Sequence, residues 1–138
     1  MITGKCTCGA VSFSCNGEPG PATYCHCEDC RRTTGSAFNV SVKLRAENIV
    51  FSGEGVLKKR EYIADSGRPI VRAFCGNCGS PVYTFHPHDP GYLWIKAGIV
   101  DQTEMIAPVH ESWTGEKVKW AEITVDSHSP GNYGEPQS

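Results

Sequence analysis

Seven of the eight cysteines of this 138-residue chain fall into three tight groups: Cys6-Thr-Cys8, Cys25-His-Cys27-Glu-Asp-Cys30 and Cys75-Gly-Asn-Cys78. Such spacings let neighbouring sulfurs converge on one ion, whereas a Cys-x-Cys pair is awkward to bridge locally as a disulfide. The count constrains the fold further. Four thiolates close a structural zinc site, and the three that remain leave an open position, which is how a reactive zinc centre is built. The chain is therefore expected to hold two zinc ions with different jobs.

Two groupings satisfy that count. Cys6 and Cys8 can join Cys75 and Cys78, leaving Cys25, Cys27 and Cys30 together, or two of the middle cysteines can serve the structural ion. The first grouping keeps the middle group local and makes the outer pairs a clip between distant segments. Such a clip closes a long loop and so constrains the unfolded chain as well as bonding the folded one. Spacing permits both. The eighth cysteine, Cys15, shares an alternation with Val11 and Phe13; it reads as a small buried hydrophobe and belongs to neither site.

Phe38, Val40, Val42 and Leu44 alternate with Asn39, Ser41 and Lys43, the pattern of a half-buried strand with one apolar face. Further strands are expected over 56–64, 69–74, 82–86, 92–97 and 121–125, separated by Gly- and Pro-rich punctuation. Only 28–34 reads as a short helical turn, ended by Gly35. The expected fold is mainly β, an antiparallel domain over residues 1–126 with little helix and with metals at the strand junctions. The Ser/Gly/Pro-rich stretch 127–138 reads as a loose tail.

Hydrophobic residues make up 39% of the chain and charged residues 20%, the balance of a globular domain. The formal net charge of −2 falls to about −5 once four thiolates on one zinc and three on another are counted. A general nucleic-acid binder carries a basic face instead. Met1-Ile2-Thr3-Gly4 shows no basic and apolar leader, and no stretch approaches the roughly 18–20 apolar residues that span a bilayer. The expected setting is the cytoplasm, with no nucleic acid and no membrane as partners. In that reducing compartment, clustered cysteines serve as metal ligands.

Three segments resemble the glutathione-dependent formaldehyde-activating enzyme family, whose domain is shared with centromere protein V. They are Gly4-Lys-Cys6-Thr-Cys8-Gly-Ala10-Val-Ser-Phe13, Tyr24-Cys-His-Cys-Glu-Asp-Cys30-Arg-Arg32-Thr-Thr-Gly35 and Arg72-Ala-Phe74-Cys-Gly-Asn-Cys78-Gly-Ser80-Pro81-Val-Tyr83. Ile95-Lys-Ala97-Gly98 and Pro108-Val-His110 with Trp120 are similar too, so the likeness runs from Gly4 to Trp120. It implies a zinc-bearing β-tent. It also implies that Cys6, Cys8, Cys75 and Cys78 hold the structural zinc and that Cys25, Cys27 and Cys30 hold the catalytic one. Glu111-Ser-Trp113 departs from the pattern, standing where family members often carry apolar residues after the histidine.

A zinc held by three thiolates carries net −1 before a fourth ligand arrives. It is a weakened Lewis acid and depresses the pKa of bound water less than a three-histidine site does. Capture of an incoming thiol as thiolate suits it better than hydrolysis. The family's reaction agrees: glutathione and formaldehyde give S-hydroxymethylglutathione, or the carbon–sulfur bond is cleaved in reverse. The expected function is thus a zinc-dependent carbon–sulfur lyase or synthase with a small thiol such as glutathione as partner. The alternative is a non-catalytic zinc module that binds glutathione or a protein.

Supporting residues follow from position. Arg31 and Arg32, after the last ligand, could pair with substrate carboxylates or support the anionic cluster. His26 could shuttle protons, though a residue between two ligands often points away from the ion. His110 matches the family's histidine. His86 and His88 lie in a Pro-rich turn and are expected at the surface, and Lys58-Lys59-Arg60 reads as a solvated strand face.

Overall fold

Short strands separated by turns build two sheets in the computed structural model, which describes residues 1–123 and 125–133. The strands are β1 (Ile2–Lys5), β2 (Ser12–Cys15), β3 (Ala22–Cys25), β4 (Asn39–Arg45), β5 (Ile49–Ser52), β6 (Leu57–Ile63), β7 (Pro69–Cys75), β8 (Pro81–Phe85), β9 (Tyr92–Lys96), β10 (Pro108–Ser112) and β11 (Ser127–His128). The smaller sheet runs β1-β2-β5 and the larger β11-β10-β3-β4-β9-β8-β7-β6. Every neighbouring pair is antiparallel except around β10, which lies parallel to both β3 and β11. Ile2, Phe13 and Cys15 from the smaller sheet close one core with Val42, Leu44, Val82 and Ile95 from the larger. Cys15 sits there as the alternation predicts, 3% exposed.

The single α-helix among the described residues, α1 (Glu28–Thr34), has the bounds that the sequence suggests. Its start is capped by the Cys27 sulfur, which accepts the Cys30 N–H at 3.3 Å. Glu28 and Asp29 occupy the first turn and Arg31 and Arg32 the last, matching the helix dipole. Gly35 ends it through an N–H bond to the Arg31 carbonyl (2.8 Å). No helix among the described residues is long and apolar enough to cross a membrane.

Strand register gives the large sheet a polar second face. Thr23 and Cys25 of β3 pair with Ser41 and Asn39 of β4. Ser41 and Lys43 pair in turn with Lys96 and Trp94 of β9. Thr84 of β8 pairs with Trp94 on one side and Arg72 of β7 on the other. Side chains alternate along a strand, so these residues share the face opposite Val42, Leu44 and Ile95. Asn39 and Ser41 read from sequence as the polar side of a half-buried strand. They are nevertheless 7% and 2% exposed, because the second face is covered.

Part of the cover comes from the segment expected to be a loose tail. Its start forms β11, and Ser129, 1% exposed, donates its N–H to the Glu111 carbonyl (2.8 Å). The two ring nitrogens of His110 bond to Ser127 Oγ (2.6 Å) and Ser129 Oγ (2.8 Å). A serine-rich composition looks unstructured, but here the hydroxyls are anchors. Residues 134–138 of that tail lie outside the described residues. The strand expected over 121–125 does not form at 121–123 or at 125, and Thr124 lies outside the described residues. Ala121 closes a turn onto the Val118 carbonyl (3.2 Å), and β11 already takes the edge beside β10. At the opposite edge, β6 exposes Lys58, Lys59 and Arg60, a charged rim that resists edge-to-edge pairing.

Candidate functional site

Two groups of sulfurs come together. Cys6 and Cys8 follow β1, while Cys75 and Cys78 lie at the turn between β7 and β8, and all four Sγ atoms lie within 4.8 Å of one another. Each pair is presented by a tight turn that ends at a glycine. Gly9 N–H bonds the Cys6 carbonyl at 3.0 Å and Gly79 N–H bonds the Cys75 carbonyl at 2.8 Å. Both glycines are left-handed, φ 79° and 83°, a region other residues enter at a cost.

The donor set fits a soft divalent ion. Cys6 and Cys8 sulfurs are 3.6 Å apart and Cys8 and Cys75 sulfurs 3.9 Å, against the about 3.8 Å of a tetrahedron with zinc–sulfur bonds of about 2.3 Å. N–H groups point at the sulfurs: Val11 to Cys6 (3.3 Å), Asn77 and Cys78 to Cys75 (3.4 and 3.5 Å), and the Asn77 side chain to Cys8 (3.2 Å). Hydrogen bonds from Ser80 bring the Cys78 thiol down to about 5. These are the outer contacts a thiolate ligand set needs.

Cys25, Cys27 and Cys30 form the second group, again within 4.8 Å. The end of β3 supplies Cys25, the cap of α1 Cys27 and its first turn Cys30. Cys25 and Cys27 sulfurs are 3.5 Å apart. The sulfurs share protons unequally. Bonds from Cys25 and Cys27, helped by the charges of Arg72 and Lys96, hold Cys30 well below the ordinary thiol range despite burial. Cys27 lowers Cys25, but the bond to Cys30 and burial outweigh it and lift Cys25 to about 11.

Two buried cations surround this group. Arg72 donates to Cys30 Sγ (3.6 Å), Asp29 Oδ2 (2.7 Å), Tyr62 Oη (2.7 Å) and Thr84 Oγ1 (3.2 Å). Tyr62 also donates to Asp29. Burial opposes the charge on Arg72, yet Cys30 and Asp29 more than restore it. Lys96 donates to Asn39 Oδ1 (2.7 Å); burial and the charge of Arg72 push it down to about 8, against the pull of the cysteines. Neither residue was singled out from sequence for this role. The available signal was a lone charge inside an apolar strand, Ile70-Val-Arg72-Ala and Leu93-Trp-Ile-Lys96.

The three-cysteine group opens onto a cavity of about 210 Å³. Its floor is the polar face of the large sheet, and its walls include Trp94, Trp113 and Tyr133. Trp113 stands at a left-handed φ of 56°, unusual for a bulky residue. It is held there by its N–H bond to the Gly131 carbonyl (3.0 Å) and by its indole bond to Asn132 (3.3 Å). The expected tail thus builds a cavity wall.

The arginines proposed as substrate contacts lie elsewhere. Cys30 faces inward from α1, and at about 100° per residue the next two side chains turn away from it. Arg32, with 76% of its side chain exposed, pairs with Glu28 at 3.0 Å, and Arg31 lines a separate surface hollow with Phe38 and Trp120. His86 and His88 both line the cavity; His88 is exposed, as expected, whereas His86 departs from that expectation. His86 is half-buried, and burial with its neighbour His88 brings it down to about 4.

His26 is fully buried and points away from the cavity, its Nε2 3.0 Å from Glu111 Oε1. Glu111, 1% exposed, also takes Lys117 Nζ at 2.9 Å and His128 Nδ1 at 2.5 Å. Glu111, the first residue of the stretch that departs from the family pattern, therefore ties the ligand loop to β11. His110 fixes the same segment through Ser127 and Ser129.

Similarity to known proteins agrees with this arrangement. A crystal structure of a Rhodobacter sphaeroides protein shares the fold, with TM-score 0.57 and 23% identity over 72% of this chain and 88% of that one. A Halomonas elongata protein described as "Putative glutathione-dependent formaldehyde-activating enzyme" is 30% identical over 104 residues. The aligned part covers 73% of this chain and 66% of that relative, so the chain spans just under two thirds of its length. Residues 1–116 match the glutathione-dependent formaldehyde-activating enzyme family as a whole. By that match, which takes in both cysteine groups, the chain belongs to this family.

Proposed function

We propose that the protein joins a small thiol, glutathione by family, to formaldehyde as S-hydroxymethylglutathione, or cleaves that carbon–sulfur bond in reverse. The observation that carries this reading is the contrast in donor number, together with the cavity onto which the three-cysteine group opens. Cys25, Cys27 and Cys30 would hold the reactive zinc, and Cys6, Cys8, Cys75 and Cys78 the structural one. Zinc at the three-cysteine group supplies a soft Lewis-acid position that favours an incoming thiol in its thiolate form.

The chain's own residues do the rest. Arg72 and Lys96 offset the negative charge of the cysteines, so that a further anionic sulfur meets a less repulsive site. Asp29 and Tyr62 keep the Arg72 guanidinium aimed at Cys30. Trp94, Trp113 and Tyr133 narrow the cavity and limit water around the reacting sulfur. Eight unbridged cysteines fit work in a reducing compartment.

Titration of glutathione into the cobalt-substituted protein tests the capture step through the thiolate-to-cobalt charge-transfer bands, which should change at saturation. Exchange spectroscopy on glutathione with formaldehyde then tests the chemistry, and the protein should accelerate exchange above its spontaneous rate. Unchanged bands would remove thiols as substrates. Changed bands without acceleration would make the protein a carrier.

A further inference from the structure

The cavity floor carries polar groups that take no part in holding the cysteine cluster. Thr23 and Ser41 are register partners on β3 and β4, a placement that sets Cβ atoms about 4.5–5.5 Å apart. Both line the cavity, and both are nearly inaccessible, 6% and 2% exposed. Thr23 lies two residues before Cys25 on the same face of β3, about 7 Å along the strand. The pair therefore sits next to the three-cysteine group.

Their hydrogen bonding is incomplete in one direction. Ser41 Oγ accepts from Asn39 Nδ2 at 2.9 Å, and Asn39 Oδ1 accepts from Lys96 Nζ at 2.7 Å. Among the described residues nothing accepts the Ser41 hydroxyl proton, and the Thr23 hydroxyl has no partner. A hydroxyl has a single proton to give, and that of Ser41 is directed away from Asn39, which occupies its lone pair. The Thr23 oxygen has no partner and is not fully enclosed, so the pair offers an oxygen that enters the cavity two donors side by side.

The chain behind them polarises these donors. Lys96, 6% exposed, has no carboxylate at ion-pair distance among the described residues. Its positive charge acts through Asn39 on Ser41, and hydrogen bonds in series strengthen one another in a low-dielectric interior. Thr84 repeats the arrangement nearby, its hydroxyl oxygen accepting from Arg72 at 3.2 Å.

We propose that Thr23 and Ser41, backed by Asn39 and Lys96, form an oxygen subsite that receives the aldehyde carbonyl oxygen and the alkoxide it becomes. This rests on the thiol-capture reading above and adds where the second reactant binds. In the forward step a lone pair on the thiolate sulfur forms the carbon–sulfur bond. The carbonyl π pair moves onto oxygen, and the alkoxide takes its proton from water to give the hydroxymethyl adduct. In reverse, the adduct hydroxyl loses that proton to hydroxide, the carbonyl re-forms and sulfur leaves as thiolate. Donors aimed at an oxygen that gains charge lower the barrier both ways.

Two isosteric thiols separate the oxygen subsite from thiol capture. 2-Mercaptoethanol and 1-propanethiol both offer sulfur, but only the first offers an oxygen. Each is titrated into the cobalt-substituted protein, and the ratio of the two dissociation constants is compared among wild type, Ser41→Ala and Thr23→Val. Both substitutions are near-isosteric, and retained 1-propanethiol binding shows that each variant is folded. The preference for 2-mercaptoethanol over 1-propanethiol is expected to fall about tenfold in either variant, the scale of one hydrogen bond. The same ratio in all three proteins overturns the oxygen subsite. A wild type whose bands respond to neither thiol overturns thiol capture instead.

Discussion

The two cysteine groups use one donor type and meet opposite surroundings. Around Cys6, Cys8, Cys75 and Cys78 the partners are neutral: backbone N–H groups, the Asn77 amide and the Ser80 hydroxyl. Around Cys25, Cys27 and Cys30 stand a buried guanidinium, a buried ammonium and an open cavity. The first group also joins the start of the small sheet to the β7–β8 turn of the large one. The second stays within one strand end and one helical turn. Ligand identity is thus a poor guide to the job of a thiolate site. Donor number, sequence separation and neighbouring charge are what differ between the two groups.

The sharpest way to break that comparison is to remove one sulfur from each group. Cys75→Ser should abolish cooperative folding, because a structural zinc site contributes on the order of 10 kcal/mol of apparent binding free energy. Cys27→Ser should melt within a few degrees of wild type while losing the response of the cobalt bands to glutathione. Serine is itself a strong helix cap, so the start of α1 keeps its partner for the Cys30 N–H. Thermal melts of the two variants decide the matter. Equal loss of stability would show that the groups are not divided between structure and chemistry.

A second test probes the tie between the ligand loop and the C-terminal segment. Burial raises the Glu111 carboxyl, but bonds from Lys117, His26 and His128 more than reverse this and hold it below the usual carboxylate range. A depressed folded value gives stability that is present above the unfolded carboxylate pKa of about 4.3 and lost as pH falls through the folded value. Glu111→Gln should cost about 3 kcal/mol at neutral pH, the scale of breaking a buried ion pair. Chemical denaturation of variant and wild type at about pH 7 in excess zinc measures the difference under conditions where thiolate ligands stay deprotonated. Equal stability of the two proteins would mean that the buried carboxylate contributes no tie.

Local signals in the sequence were read well and long-range ones poorly. The helix came out with its bounds because acidic first turn, basic last turn and Gly35 all lie within eight residues. Strands β4 and β6–β9 lie within two residues of the expected ranges, since each carries five or more residues of recognisable pattern. β1, β3 and β5 are four residues long. Ala22-Thr-Tyr-Cys25 shows no alternation, as two of its residues are buried on opposite faces. β10 was hidden for another reason: it is a parallel neighbour of β3, with a partner more than 80 residues away in sequence, as in the Glu111 and Tyr24 pair. At the site, the ligand cysteines were legible because their spacing is local. Spacing left two groupings open, and the family resemblance chose the one that the structure brings together. Arg72, Lys96 and Glu111 were not legible, because register across the large sheet brings them to the cysteines. Adjacency in sequence favoured Arg31 and Arg32, and helical phase turns both away.

The charge partners sharpen the comparison at smaller scale. Arg72→Gln should lower metal affinity at the three-cysteine group by about tenfold, the usual cost of losing a group that orients a ligand. It should leave the four-cysteine group unchanged, and competition with a chromophoric chelator resolves the two affinities. Arg32→Gln is the control with the smallest expected effect. It removes an exposed pair with Glu28 spaced i,i+4, worth about 0.3–0.5 kcal/mol on a helix surface. Neither metal affinity nor glutathione binding should change. If Arg32→Gln weakened glutathione while Arg72→Gln did not, the working charges would lie on the outer face of α1, and the cavity would lose its claim to be where the thiol binds.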